Sequence, residues 1–454
     1  MSESRIIKSL ITISLLLALF GGLMFAGQGW LTRSNLLANI LESGKDKVDQ
    51  LSVWKVLPKI AGFGEEKTYL LLFQNNLELR PGGGYLGNFG ILRVKNGKPT
   101  FFQLHDTNIF DGFGRIQTDP PKAIKDYLGV VNWQMRDGNW SPDFKTSALQ
   151  VEEFYHAQGG GEKFDGIIAI NATILPELLK VTGPIYLEQF DKEFRSDDVL
   201  IQLEYEIEKA YVDRGIDPGD RKIMFKALTT KVFEKILAQD FWQQNELKDL
   251  VVRELDKKNI LLFLKDSEDQ YLISKFNWSG EVNQSYEHDY LMIVEANLAS
   301  KKSNAFINRR VEYSIDLSKD QPEATLKITY THQGTEKNWF SDDYGAYLRI
   351  YVPKDSWLLD ASGVESQTDF STDLGKTVFG NWIKVPTGQE KTIELRYRLP
   401  EKVRQGKEYR ILVQKQSGID SLPFQFNLED VNQRVIKGQE TIENDWEGVI
   451  SFEE

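Results

Sequence analysis

Four clusters of arginines and acids, all between residues 75 and 225, supply the groups that could do chemistry in this chain. Arg80 is followed at once by Gly82, Gly83 and Gly84. A guanidinium fork matches a phosphate or carboxylate, and glycines let backbone N–H groups approach a ligand closely. The simpler alternative is a flexible surface hairpin with a solvated arginine. In "LHDTNIFDG", Asp106 and Asp111 follow a strand, where carboxylates could ligate Mg²⁺ or merely close an Asx turn. "MRDGNWSPDF" carries Arg136, Asp137 and Asp143 beside Trp133 and Trp140; the alternative is a compact loop in which Arg136 pairs with an acid. "DRGIDPGDRK" adds Asp213, Arg214, Asp220, Arg221 and Lys222 around a turn. Asp220 fits a helix N-cap, whereas Arg221 in a first turn opposes the helix dipole and so favours another task for it.

Other chemistries are excluded or unsupported. No Walker loop, dinucleotide fingerprint, H-E-x-x-H or G-x-S-x-G motif is present. The four histidines are scattered, and with no cysteine there are neither disulfides nor thiolate sites. A formal charge of −12 argues against nucleic-acid binding.

The elements that must position these clusters can be read from periodicity. At 454 residues with 41% hydrophobic content, two or three domains with real cores are expected. Arg5 and Lys8 precede an uncharged stretch, Ser9 to Thr32, long enough to cross a bilayer. It reads as a signal anchor over residues 1–33 with the remainder outside the cytoplasm; a cleaved signal peptide is the alternative. Residues 34–64 have the spacing of a helical stalk. Residues 65–300 alternate strands and helices, with an Asn96-Gly97 hairpin inside, which predicts an α/β sandwich with a mixed central sheet. In residues 301–454, seven segments from "RRVEYSIDL" to "FQFNLED" alternate apolar and polar, predicting an all-β sandwich of immunoglobulin-like size.

Several of these segments carry a resemblance. "YLLLFQNNLELRPGGGYLGNFG", "MRDGNWSPDFKTSA", "FDGIIAINATILPELLKVTGPI" and "DRKIMFKAL" are similar to signature stretches of the domain of unknown function 4012 family, found in membrane-anchored bacterial envelope proteins. The likeness runs over about residues 65–300. The order of segments also resembles, more distantly, the LytR-CpsA-Psr phosphotransferases, which move glycopolymers from a polyprenyl-pyrophosphate carrier to the cell wall. That likeness implies that Arg80, Gly83, Gly84, Arg136, Arg221 and Lys222 bind the pyrophosphate and that Arg80 faces Asp106 and Arg221. It implies Asp106 as Mg²⁺ ligand or catalytic acid, with Asp137 as second candidate. Two departures stand out: His105 replaces an arginine before Asp106, and Gly87-Asn88-Phe89-Gly90 replaces an Arg-Ser-Asp-Thr stretch with its metal-binding acid.

The expectation is therefore a single-pass plasma-membrane protein of the bacterial envelope, with a polyprenyl-linked phosphate or glycan as ligand and Mg²⁺ as cofactor. Its reaction would be phosphoryl-glycan transfer, and a protein partner could dock on the C-terminal sandwich. The competing expectation is a non-catalytic lipid- or glycan-binding module or adhesin.

Overall fold

The structure, a computed structural model, describes residues 56, 58–237, 241–298, 301–404 and 408–452. The apolar span Ser9–Thr32 and the expected stalk up to residue 55 lie outside the described residues. Among the described residues no helix is long and apolar enough to cross a membrane. The chain forms two compact units that exchange segments. The first comprises the described residues up to Gln74, Leu86–Arg115 and Val151–Gly280; the second comprises Asn75–Tyr85, Ile116–Gln150 and everything from Glu281.

The first unit is built on a five-stranded mixed sheet in the order β3-β2-β1-β4-β7. β1 (Lys67–Asn75) runs parallel to β4 (Gly166–Asn171), which pairs antiparallel with β7 (Ile260–Leu264). Leu70, Leu71 and Leu72 are successively buried, as a central strand covered on both faces requires. β2 (Tyr85–Lys95) and β3 (Lys98–Asp106) form a hairpin. Its tip holds Asn96 and Gly97 at φ 52° and 71°, the left-handed pair the dipeptide predicts. On one face Leu71, Leu92, Phe102, Ile168 and Leu262 share a core with the helices Ile174–Thr182, Val199–Tyr205, Ile223–Leu237 and Phe241–Asp256. On the other, Phe89 packs edge-on against Tyr155 of the helix Phe144–Ala157.

Two details of this unit escaped the sequence pattern. Residues 206–210 continue the helix after Tyr205 as one π turn, and a short helix, Ser267–Lys275, starts on the Asp266 side chain, which accepts from the Glu268 and Asp269 N–H groups. A small hairpin, β5 (Ile185–Leu187) with β6 (Lys192–Phe194), completes the unit.

The second unit is a pair of six-stranded sheets. One holds β12 (Trp357–Ser362), β15 (Glu390–Arg398), β10 (Glu323–His332), β9 (Ile307–Asp316), β17 (Leu422–Glu429) and β18 (Val435–Ile442) in that order. The other holds β13 (Asp369–Asp373), β14 (Lys376–Val385), β11 (Tyr344–Val352), β8 (Asp289–Asn297), β16 (Glu408–Gln414) and β19 (Trp446–Ser451). Leu291, Ile350 and Phe379 of one sheet and Val311, Leu326 and Leu395 of the other meet in one core. Both sheets are mixed, because β8 runs parallel to β16 and β9 to β17.

Alternation revealed seven of these twelve strands, and the five others have physical reasons for hiding. β8 is buried at all nine positions and so shows no polar face. It is a strand of the sandwich, although the sequence placed the change of character after it, near residue 300. β12, β13, β18 and β19 end the two sheets, and as edge strands they are largely exposed.

Candidate binding site

Asp106 closes β3 in the first unit. Alternation along a strand sends Phe102 and Leu104 to the face that packs the helices, and Asp106 goes with them. There Lys222, one residue before the Ile223–Leu237 helix, places its Nζ 2.9 Å from Asp106 Oδ2 and donates to the Gly87 carbonyl at 2.7 Å. The other carboxylate oxygen, Oδ1, accepts the Asn108 N–H at 2.8 Å. Asn88 lies directly opposite Asp106 in the β2–β3 ladder. Burial lowers the pKa of Lys222, with Asp106 pulling the other way. Both side chains remain 16% exposed, so the pair is reachable from solvent.

Arg221 stands beside Lys222 and reaches Glu208, on the π turn, at 3.0 Å. The same turn buries Glu206, which is gripped by Arg214 through Nε at 2.8 Å and Nη2 at 3.1 Å. Inserting one residue per turn lets a helix present successive acids in new directions, and π turns are frequent at functional sites. Here it gives Arg221 and Arg214 separate carboxylates. His105, in the place where the resemblance implies an arginine, points to the opposite face of the sheet and stacks on Phe89 at 4.8 Å. Burial lowers its pKa, and its place against Phe89 keeps it away from Asp106, where that arginine would stand.

These residues do not fit a magnesium site. Mg²⁺ demands several oxygen ligands in near-octahedral array. Asp106 is already committed to an ammonium and an N–H, and the residue facing it is the neutral Asn88. Among the described residues no three acids or histidines gather in a way that could hold a metal.

The glycine loop behaves differently. Residues 75–85 leave the first unit and belong to the second, where Arg80 is 2% exposed. Its Nε donates to Asp137 at 3.0 Å, Nη2 to Glu78 at 3.0 Å and Nη1 to the Asn297 carbonyl at 2.5 Å. The guanidinium also lies 5.3 Å from the centre of the Tyr85 ring. Burial works to lower the Arg80 pKa, but Asp137 and Glu78 outweigh it and the net shift is upward. These bonds run to Glu78, Asp137 and Asn297, where the resemblance implied Asp106 and Arg221 as neighbours.

The glycines are used for close backbone packing inside the same unit. A Cβ on Gly84 would meet the Asn75 carbonyl carbon at 2.4 Å, and one on Gly418 would meet the Gly83 carbonyl at 2.0 Å. Asn139 donates to the Gly84 carbonyl at 2.7 Å, and Gln416 donates to the Arg80 and Glu295 carbonyls at 3.0 and 2.8 Å. Gln416, Gly418 and Asn297, which complete this cage, lie more than 200 residues downstream, and nothing local marks them in the sequence.

The "MRDGNWSPDF" loop supports the cage. Asp137 is buried and receives Arg80, while Arg136 is 30% exposed with its Nε 3.9 Å from Asp137. Asp143 is spent on protein donors: it accepts from Thr146 N and Oγ1 and, across 139 residues of chain, from the Val282 N–H. Of the residues singled out in the sequence, the structure thus gathers Asp106, Arg221 and Lys222 in the first unit. It gathers Arg80, Gly83, Gly84, Arg136 and Asp137 in the second.

The chain is thus a mixed α/β unit with a solvent-reachable acid–lysine pair, covalently interwoven with a β-rich unit. Residues 64–207 match the family described as Protein of unknown function (DUF4012), in agreement with the first three motifs quoted above; "DRKIMFKAL" and the rest of the expected 65–300 range lie beyond the match. The match ends before Arg221 and Lys222. No curated protein matches the chain. Among solved structures, a candidate nutrient binding protein from Legionella pneumophila is 8% identical, with a TM-score of 0.22; the similarity covers 31% of this chain and 54% of that one. A protein from Streptococcus agalactiae is 13% identical over 47% of this chain and 74% of its own, with a TM-score of 0.29. One from Listeria innocua is 12% identical over 47% and 79%, with a TM-score of 0.24. At such scores these likenesses carry no weight for fold or function.

Proposed function

We propose that the chain is a membrane-anchored protein of the bacterial cell envelope whose α/β unit binds a phosphate-bearing ligand, a polyprenyl-linked phosphate or glycan, without metal-dependent transfer. The observation that carries this reading is the Lys222–Asp106 pair, reachable from solvent, with Arg221 beside it at the start of a long helix. An anion arriving there would exchange the carboxylate partners of two cations for its own oxygens, aided by the helix N-terminus. Binding is favoured over transfer because Arg80 has its donors engaged inside the protein and Asp106 lacks a second acid. The apolar Ser9–Thr32 stretch supports anchoring, and helices on both faces of a mixed sheet support the finer likeness to an α/β/α sandwich of the LytR-CpsA-Psr type. The paired sheets support an immunoglobulin-like reading of the second unit, which would offer a surface to a protein partner.

The test is extraction of the full chain in mild detergent, followed by mass spectrometry for retained polyprenyl phosphates. Wild type should carry them, and Lys222→Ala should lose most of the load. A wild type that retains none under lipid-preserving conditions sinks the reading. Magnesium-stimulated glycan transfer by the purified chain would restore the transferase instead.

A further inference from the structure

His332, the last residue of β10, is enclosed at the foot of the loop 333–343 that leads to β11. It is 1% exposed, and its ring lies parallel to that of Phe306 with centres 6.1 Å apart. Nδ1 stands 3.0 Å from the Gly334 backbone nitrogen, and Nε2 stands 2.9 Å from the Asp342 carbonyl oxygen. A peptide N–H can only donate and a carbonyl can only accept. The two partners therefore fix the ring as the neutral tautomer with its proton on Nε2. The imidazole thus ties the start of the loop to its end, each nitrogen committed to one role. Gly334 fits against it because a Cβ there would stand 2.7 Å from His332 Cε1.

Other bonds close the loop as well. Asn338 Oδ1 accepts from the Phe340 and Ser341 N–H groups at 2.9 Å each, and the Phe340 carbonyl accepts from the Lys302 N–H at 3.0 Å. Phe340 is buried edge-on against Phe306. Ser341 is also 1% exposed, yet its Oγ has no hydrogen-bond partner among the described residues, which sets a cost against closure. The charged groups around the ring are Asp342 and Asp343, with Lys301, Lys337 and Lys384 upon them, and Glu390 on the adjoining strand, bonded to Thr331. Hydrogen bonds from Lys301 and the Asp343 N–H hold the Asp342 carboxyl at about 2, and Lys337 holds that of Asp343 lower still. Both acids therefore stay ionised in mildly acidic solution.

We infer that His332 is a proton-operated brace: the neutral ring holds loop 333–343 against the sandwich, and the imidazolium releases the loop and uncovers Phe340. A second ring proton, on Nδ1, would point straight at the Gly334 N–H, leaving two donors face to face and no acceptor between them. Solvent reaches Nδ1 only when the loop lifts, because the ring is buried. A proton taken up there keeps the Gly334 bond from re-forming, so acid selects the open state. The inference concerns the second unit alone and stands apart from the ligand proposed for the first.

Hydrogen exchange of the full chain at pH 7 and pH 5, read by mass spectrometry and corrected for intrinsic rates, tests the brace. Protection over 333–343 should fall about tenfold at the lower pH while β9 and β10 keep theirs. His332→Gln, whose amide hydrogen-bonds without titrating, should show the same loop protection at both pH values. An unchanged wild-type loop overturns the inference, and so does a pH response that survives in His332→Gln. Loss of protection across the whole sandwich assigns the effect to general acid unfolding and overturns it likewise. Should His332→Gln fail to fold, exchange at the His332 Cε1–H of the wild type decides. Protonation of the ring must then follow the same pH curve as loop opening, and separate curves refute the brace.

Discussion

Arg80 and Lys222 are a matched pair of cations in the sequence, each beside a turn and each with an acid in prospect. Their fates in the two units are opposite. Arg80 is enclosed in the β-rich unit with two carboxylates and a carbonyl around its planar fork, whereas Lys222 in the α/β unit keeps one carboxylate, one carbonyl and access to water. The contrast follows from desolvation. A buried guanidinium is tolerable only when its donors are met, and once met they hold the structure and are not available to a ligand. An ammonium with one carboxylate partner and some access to water can trade that anion for another. The residue with the more suggestive local sequence is thus the structural one.

The strongest way to break this comparison is Arg80→Ala. It strands Glu78 and Asp137 in the interior, and a loss of about 3–5 kcal/mol is expected. Urea unfolding would measure it, with hydrogen exchange rising around residues 76–84, 137 and 416. If the variant unfolds like wild type, Arg80 is not a keystone and its claim to a ligand returns. Lysine should not rescue it, because an ammonium cannot serve three directions in one plane.

Asp289 sharpens the contrast, being a buried acid with no ion-pair partner among the described residues. It accepts from Tyr409, from Tyr313 at 3.0 Å and from the Tyr290 N–H. Burial raises its pKa to about 6, with those donors opposing. The folded state therefore holds this proton more tightly than the unfolded chain, whose aspartate titrates near its usual value of about 4. The contribution to stability is full below that value and is lost as pH rises through about 6, amounting to ~3 kcal/mol. Subtracting the pH profile of Asp289→Asn from that of wild type should isolate this slope. A flat difference between pH 4 and 7 would show that the tyrosines hold the carboxylate as an anion throughout.

Lys222→Ala and Arg221→Ala lie at the small end for stability, with expected costs of about 1 kcal/mol and a few tenths respectively. Their effect should appear in ligand retention, where Lys222→Ala is expected to act more strongly. A large loss of stability at Lys222 would make it a second Arg80.

Much of the fold was legible before any coordinates. The strand pair around Asn96-Gly97, the buried strand "GIIAI" and the helices after it stand where periodicity put them, because their signals come from neighbours within a few residues. The continuously buried β8 and the exposed edges β12, β13, β18 and β19 did not show, since burial on both faces or on neither removes the alternation that betrays a strand. At the site, the sequence expectation joined Arg80, Arg136, Arg221 and Lys222 to Asp106 in one anion site. Their division between two units was not legible, because it depends on partners far away in the chain.

The sequence alone determined local conformation, the supply of charge and the family motifs over residues 64–207. Only the tertiary structure decided which charges are used up. The partners that saturate Arg80 include Asn297, and Gln416 and Gly418 seal the loop around it, contacts separated from it by 217 residues and more. Lys222 is left with a single carboxylate because the strand opposite Asp106 offers Asn88. Electrostatic fate depends on burial and on the count of partners in space, and neither quantity is written in any short stretch of chain.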